Sequence, residues 1–324
     1  MREASLFASH LRAELRARNR RYGRERAHVE SYGDPPVMVY APDGLKHGNF
    51  FDPSYEAITS RQEWLRRFDK IHAQGRSLPK AERKWRELDS SMSSDALLMN
   101  VFCAPGVAQS SAVRRLLGVD DEEVPVFGWK ARVPLANGHF DRTEVDMRWG
   151  SLLVEAKLTE SDFQTCRPAL VEGYRDLDAV FDRESLPRVQ IAIGRRKASV
   201  ELPEEYSQEE IVVPAEEWEP HVWSVPPESI SGYQSYQLIR SVLAAHAHSA
   251  SFCVMYDARR PDLREAWFEV MAAVKSADLR VRLQAITWQE LATVLPHGLQ
   301  DFLDRKYGIV SPGAETLWPV DEPA

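Results

Sequence analysis

Residues 141–160, DRTEVDMRWGSLLVEAKLTE, carry two runs of alternating apolar and polar residues around a Gly150-Ser151 pair. Period-two alternation marks a half-buried strand, and Gly in the first central position suits a two-residue type II′ hairpin turn. That turn predicts antiparallel partners whose numbers sum to 301: Trp149 with Leu152, Asp146 with Glu155, and Glu144 with Lys157. Successive strand side chains point to opposite faces, so Glu144, Asp146, Glu155 and Lys157 are expected on one side. Opposed Cβ atoms lie about 4.5–5.5 Å apart, and opposed like charges destabilise a hairpin. The repulsion costs roughly 1 kcal/mol in water and several times that in a half-buried cleft. A shared proton, Lys157 alone or a divalent cation could offset it, the cation most completely. Mg²⁺ is commonly held by one or two carboxylates, with water and phosphate completing its shell. An ammonium on the same face could then meet a bound water or a phosphate oxygen, which suits phosphodiester hydrolysis. The plainer reading is a solvated strand face with a Glu144–Lys157 salt bridge, which leaves the two opposed acids unexplained.

The flanking sequence builds a helix followed by a meander. SSMSSDALLMNVF places Ser and Asp before an apolar run, predicting a helix over about 93–103. VPVFGWKARVPL reads as a strand, Asn137-Gly138 as a hairpin turn, and strands follow near 140–149 and 152–159. Upstream, Leu6, Phe7, Leu11 and Leu15 are spaced for a helix within 4–26, ending in arginines that form either a solvated face or a phosphate-contacting arm. VMVY is a short strand, and 54–88 reads as helical with basic faces in RQEWLRRFDK and KAERKWREL. Trp64 and Trp85 there could stack on a DNA strand, although core packing is the plainer role. Downstream, a helix is expected from about Pro168 to 182, a strand at RVQIAIG and a Glu/Pro-rich surface excursion over 196–230. A helix at GYQSYQLIRSVLAAHAHS, a buried strand at SFCVMYDA, a helix at PDLREAWFEVMAAVKSA, a strand at RVRLQAIT and a closing helix from WQELATVL complete the pattern.

The 324 residues are 44% hydrophobic and 28% charged, the balance of a soluble globular protein. Apolar runs are too short for a membrane span, and the N-terminus has no signal-peptide core because arginines interrupt it. Cys103, Cys166 and Cys253 lie far apart without a CxxC pair, which argues against a disulfide framework or zinc ribbon and for a cytoplasmic setting. The net charge of −8 conceals a division: residues 1–90 hold 18 Lys/Arg against 13 Asp/Glu, and the remainder 23 against 36. Net charge therefore excludes no nucleic-acid partner, since phosphate contacts depend on local patches.

EVDMRWGSLLVEAK resembles the PD-(D/E)xK signature of restriction-endonuclease-like nucleases, with Asp146 as the first acid and Glu155-Ala156-Lys157 as the ExK element. SSDALLMNVF, EAKLTESDF, YQLIR and TWQEL extend the resemblance, over roughly residues 91–295, towards a bacterial subgroup of uncharacterised members. Val145 stands where the superfamily's name places Pro. The resemblance implies an α/β fold with a restriction-endonuclease-like αβββαβ core, a mixed central sheet and a helical N-terminal extension. Residues 1–90 would be the basic extension, 91–295 the core, and 296–324 a C-terminal helix and tail. It further implies a Mg²⁺- or Mn²⁺-dependent DNA phosphodiesterase, compatible with homodimerisation. An endonuclease is favoured over an exonuclease because nothing in the sequence resembles a helicase partner or a strand-end gate. Asp146, Glu155 and the Ala156 carbonyl would bind the metal, and Lys157 would orient the attacking water. Glu144 would hold Lys157 or an outer-shell water, and Gln237 would contact phosphate or support the site. Arg240, Glu160 and Asp95 are weaker candidates, better explained as an exposed arginine, strand-end solvation and a helix-dipole acid. His246 and His248 cannot share a helix face and receive no role. The alternative is a nuclease-fold protein that no longer cleaves and serves as a nucleic-acid-binding or assembly module.

Overall fold

The computed structural model describes residues 2–31, 35–70, 86–120, 123–193, 212–214 and 228–318. The hairpin forms in the expected register: Trp149 pairs with Leu152, Arg148 with Leu153 and Met147 with Val154. Gly150 takes φ +56° while Ser151 stays at negative φ, as a type II′ turn requires.

This hairpin is the middle of a five-stranded mixed sheet. Its strands are β1 (Val126–Lys130), β2 (Glu144–Trp149), β3 (Leu152–Ala156), β4 (Ser251–Tyr256) and β5 (Leu283–Thr287). They lie in the order β5-β4-β3-β2-β1. β1, β2 and β3 form an antiparallel meander, and β3, β4 and β5 run parallel. Parallel neighbours need crossover connections, and helices lie within both. α3 (Tyr236–Ala247) precedes β4, and α4 (Pro261–Ala273) lies between β4 and β5. α1 (Arg2–Tyr22), α2 (Ser94–Phe102) and α5 (His297–Tyr307) complete the main helices.

Both faces of β3 and β4 are buried, which explains why SFCVMYDA is continuously apolar. On one face Leu153, Phe252 and Val254 pack with Ile239 and Val242 of α3 and Trp267 of α4. On the other, Leu152, Val154 and Met255 pack with Leu97 and Val101 of α2, Leu15 of α1 and Leu303 of α5. α2 starts where Ser93 accepts a hydrogen bond from the Ala96 amide, and every residue of the helix is buried. The basic N-terminal helix thus sends Leu11 and Leu15 into the core that covers the sheet, while Leu6 and Phe7 stay exposed.

Two expectations change. The helix expected over 168–182 is two short pieces, Pro168–Glu172 and Leu177–Val180. Between them the backbone of 173–175 bonds that of 134–136 instead: Ala136 N–H donates to the Gly173 carbonyl and Arg175 N–H to the Pro134 carbonyl. The second change is in 196–230, where 212–214 and 228–233 are strands pairing with 188–193 in a separate three-stranded sheet. An apolar strand at RVQIAI leaves unpaired N–H and C=O groups on both edges, and these two segments satisfy them. Residues 194–211 and 215–227 lie outside the described residues, as do Trp85 and most of KAERKWREL. Trp64 is a packing residue, buried with its indole N–H donating to the Pro125 carbonyl. The three cysteines are buried and free, and no helix among the described residues is long and apolar enough to cross a membrane.

Lys306 of α5 is fully buried, its Nζ donating to Asn19 Oδ1 at 3.0 Å and lying near the rings of Tyr40 and Tyr307. Burial, aided by Arg26, pushes its ammonium well below the usual lysine value of 10.5. Between the lowered value and 10.5 the unfolded chain holds a proton that the folded one does not, so stability rises with pH across that window. Lys306→Met is expected to flatten this rise; denaturant midpoints compared between neutral pH and about pH 10 check it.

Candidate active site

The β2–β3 ladder ends at Met147 and Val154. Beyond it the strands part, and Asp146, Glu155 and Lys157 stand at the fork. Asp146 Oδ2 accepts the Ala156 N–H at 2.8 Å, so a side chain takes the place of a ladder bond. Lys157 Nζ donates to Glu155 Oε1 at 2.8 Å, both side chains being buried. The backbone of Lys157 is held on two sides: its N–H donates to the Met255 carbonyl and its carbonyl accepts from Trp288 Nε1. Trp288 belongs to TWQEL, whose Thr287 and Glu290 form a capping box that fixes the entry of the next helix.

Burial and close charges act together on the ionisable groups of the fork. Burial, with Glu155 and Asp95 nearby, pushes the Asp146 carboxyl well above the usual carboxylate range, against Lys157 and the Ala156 amide. Burial opposes the charge on Lys157, yet Glu155, Glu160 and Asp146 hold its ammonium above the usual lysine value.

Glu144 does not join this group, which corrects the expected pairing with Lys157. Its carboxylate meets Arg67 at 2.6 Å, Lys130 at 2.5 Å and Lys70 at 3.3 Å. Burial raises its pKa, but Lys130 and Arg67 more than reverse that and hold it at about 2. The reason is a change of face within β2. Val145 packs with Leu153 and Val254, whereas Met147 and Trp149 pack with Leu152 and Val154. Strict alternation would put all three on one side. The switch falls at Asp146, opposite Gly128 in the β1 register, between the pairs Phe127–Met147 and Trp129–Val145. Gly128 has φ +65°, and a Cβ there would lie 2.3 Å from Arg67 Nη1. Glycine therefore lets the strand turn and lets the guanidinium approach.

Arg67 then bridges Glu144 and Asp95, donating to Asp95 Oδ2 at 2.7 Å, and Lys70 adds a 3.0 Å pair to the same oxygen. Asp95 is buried, so it is more than a dipole acid at the start of α2. Glu160 ties the strand exit to α2: it accepts from the Leu158 N–H at 2.7 Å and from Ser94 Oγ at 2.5 Å. Gln237 opens α3 with its N–H on the Phe163 carbonyl, and the Phe163 ring lies 5.5 Å from Lys157 Nζ. Its Oε1 is buried and has no hydrogen-bond partner among the described residues. Arg240 stacks near Tyr236 at 5.1 Å. His248 accepts the Arg132 N–H and lies by Gly150 and Ser151 of the hairpin turn.

The family described as Restriction Endonuclease associating with ARP (REase-ARP) matches residues 15–308. The chain belongs to this family. The REase-ARP match takes in the whole central sheet and each residue of the fork. No curated protein and no solved structure gives a significant match.

Two residues of this REase-ARP chain that act on the fork carried no sequence signal of their own. Arg67 is one of eight Lys/Arg in RQEWLRRFDK and KAERKWREL, and nothing local distinguishes it. Arg260, in DARRPDL, is fully buried. Its guanidinium donates to the carbonyls of Glu160 (2.7 Å) and Ser161 (3.0 Å) and forks onto Asp262, pinning the segment that follows Lys157.

The residues present fit a hard divalent cation. Among the described residues no three His, Cys, Asp or Glu side chains cluster to cage a metal. A cation here would thus take two carboxylates, Asp146 and Glu155, with backbone oxygen and water, the mode Mg²⁺ favours. Ala156 presents its N–H to Asp146, and the carbonyl of a strand residue leaves on the same edge as its N–H. Burial, and after it the neighbouring Glu155 and Asp95, disfavour charge on Asp146, and a bound cation would counter both.

Proposed function

We propose that this chain is a Mg²⁺-dependent nuclease that hydrolyses phosphodiester bonds of DNA endonucleolytically. The observation that carries the reading is the fork itself: Asp146 and Glu155 converge with Lys157 where two strands of the sheet part, in a chain of a restriction-endonuclease family. The order α2, β1, β2, β3, α3, β4 around it supports the restriction-endonuclease-like αβββαβ core.

Asp146, Glu155 and the Ala156 carbonyl would hold the metal, which when bound supplies Lewis acidity and a more acidic water. Lys157 supplies a fixed positive charge. Its backbone is clamped by Met255 and Trp288 and its Nζ by Glu155, so it needs little reorganisation to hydrogen-bond the attacking water and the phosphate oxygens on which charge builds. Burial lowers the local dielectric and strengthens both interactions. Gln237, whose backbone N–H holds the Phe163 carbonyl, would use its Oε1 to accept from a water or to position the substrate. Glu144 serves as an anchor: with Arg67, Lys70 and Asp95 it locks β2 to the start of α2.

The test is cleavage of supercoiled and linear DNA, with RNA and cyclic dinucleotides in parallel, in Mg²⁺ and in EDTA. Wild type is expected to cut DNA in Mg²⁺ only. Asp146→Asn and Glu155→Gln should lose at least a thousandfold. Asp146→Asn should melt no lower than wild type, because it removes a carboxylate from a crowded cluster and leaves the Glu155–Lys157 pair intact. Glu155→Gln should melt lower because it strands the buried ammonium. Unchanged DNA binding and biological activity in these variants would replace the enzyme with a non-cleaving binding module.

A further inference from the structure

At the end of α1 remote from its contact with the fork, a cavity of about 260 Å³ is lined by Arg21, Tyr22, Arg24, Arg26, Arg305 and Trp318. Arg18 also reaches its wall, and Glu25 is the acid among the lining residues. Aromatic rings support the arginines: Arg26 lies 3.6 Å from the Tyr22 ring centroid, and Arg305 lies 4.5 Å from that of Trp318. Arg18 fixes the Trp318 carbonyl at 2.9 Å, so the wall is built by hydrogen bonding as well as by stacking. α1 and α5 both end here, and helix C-termini attract basic side chains. That accounts for one or two cations at each end, not for a cavity with arginines on several walls.

A second feature leads from this cavity back to the fork. Arg12, Arg16 and Arg20 recur every four residues along α1, a spacing that stacks them on one helix face and sets like charges against each other. Among the described residues the guanidinium of none of these three, nor that of Arg24, makes an ion pair or hydrogen bond. Burial and mutual repulsion push Arg12 and Arg16 below the usual arginine value, a cost that nearby anions would remove. The row begins beside Glu160 and Arg260, whose charges act on Arg12, and Glu160 accepts from the amide next to Lys157. From Arg12 to Tyr22 is ten residues, about 15 Å at the α-helical rise. Duplex DNA advances about 3.4 Å per base pair, so the row spans roughly four steps.

We propose that the α1 arginine row and the Arg/Trp cavity at its end form a docking track for the phosphate backbone of duplex DNA, holding a strand several base pairs from the scissile bond. The inference rests on the nuclease reading for its substrate class. Arg24 and Arg305 grip one backbone segment at the cavity, and Arg20, Arg16 and Arg12 carry the strand towards the fork. The track meets phosphate only, so it positions the duplex without reading its sequence.

Binding of the full chain to a labelled duplex of about 30 base pairs, read by fluorescence anisotropy in EDTA across a salt series, tests the track without requiring cleavage. Arg24→Ala/Arg305→Ala and Arg16→Ala/Arg20→Ala are each expected to weaken binding at least tenfold. Each should make the slope of log K against log salt shallower by about 1 for every arginine–phosphate pairing removed. These side chains are exposed or half-buried, so thermal melts should match wild type. Unchanged duplex affinity in both pairs overturns the track. So does a loss confined to binding of inorganic phosphate or deoxyadenosine monophosphate, which would make the cavity a free-anion pocket. Binding is read in EDTA, where no cleavage is needed, so a wild type that binds the duplex yet fails to cut it in Mg²⁺ would sink the nuclease reading while leaving the track standing.

Discussion

Lys157→Met is expected to abolish DNA cleavage and, in EDTA, to lower folding stability by about 3–5 kcal/mol, the usual cost of stranding a buried charge. The wild-type pair is buried on both sides, with Nζ and Oε1 2.8 Å apart. Removing the ammonium leaves Glu155 and Asp146 facing each other without their main counter-charge. Glu155→Gln/Lys157→Met should recover most of the lost stability, because a neutral pair incurs no such penalty, yet it should remain inactive. Stability and catalysis thus separate in one series, read by denaturant melts in EDTA and by plasmid cleavage in Mg²⁺. Cleavage by Lys157→Met within tenfold of wild type would remove Lys157 from the reaction. Mg²⁺ should also raise the melting temperature of Lys157→Met more than that of the double variant, since only the former keeps both carboxylates.

Arg260→Met is expected to be the most damaging change outside the fork. The guanidinium satisfies two carbonyls at 2.7 and 3.0 Å together with the Asp262 carboxylate, all from a fully buried position. Methionine fills much of the volume but leaves a carboxylate and those carbonyls unpartnered, a loss of about 3–5 kcal/mol. At about 2–4 °C per kcal/mol, this lowers the melting temperature by on the order of 10 °C. Because the freed segment carries Glu160, which braces the strand exit against Ser94, the remaining folded enzyme should lose kcat more than substrate affinity. Arg260→Lys should rescue little, since an ammonium cannot span carboxylate and carbonyls in one plane. An unchanged melting temperature in Arg260→Met would show that the exit segment is held by other interactions.

The parts of the site legible in the sequence are those set by local rules. Gly150-Ser151 determines turn and register as far as the Met147–Val154 pair, so Asp146 and Glu155, the next residue on each strand, could be placed near each other from spacing alone. Lys157 follows from period two. The core strands and helices were legible for a similar reason: SFCVMYDA, YQLIR and TWQEL each carry their own periodicity or capping signal. Glu144 was misplaced because alternation presumes a flat strand. The glycine that lets β2 change face belongs to another strand, eighteen residues earlier in the chain.

The sequence by itself therefore determined the hairpin, the pair of acids with their lysine, and the mixture of helices and strands around them, because each depends on neighbours a few residues apart. Only the tertiary structure decided which cations serve which acids. Arg67 meets Glu144 across 77 residues, and Arg260 meets the Glu160 carbonyl across 100. Such pairings depend on which surfaces the packed sheet brings within about 3 Å of each other, a distance that no local periodicity encodes.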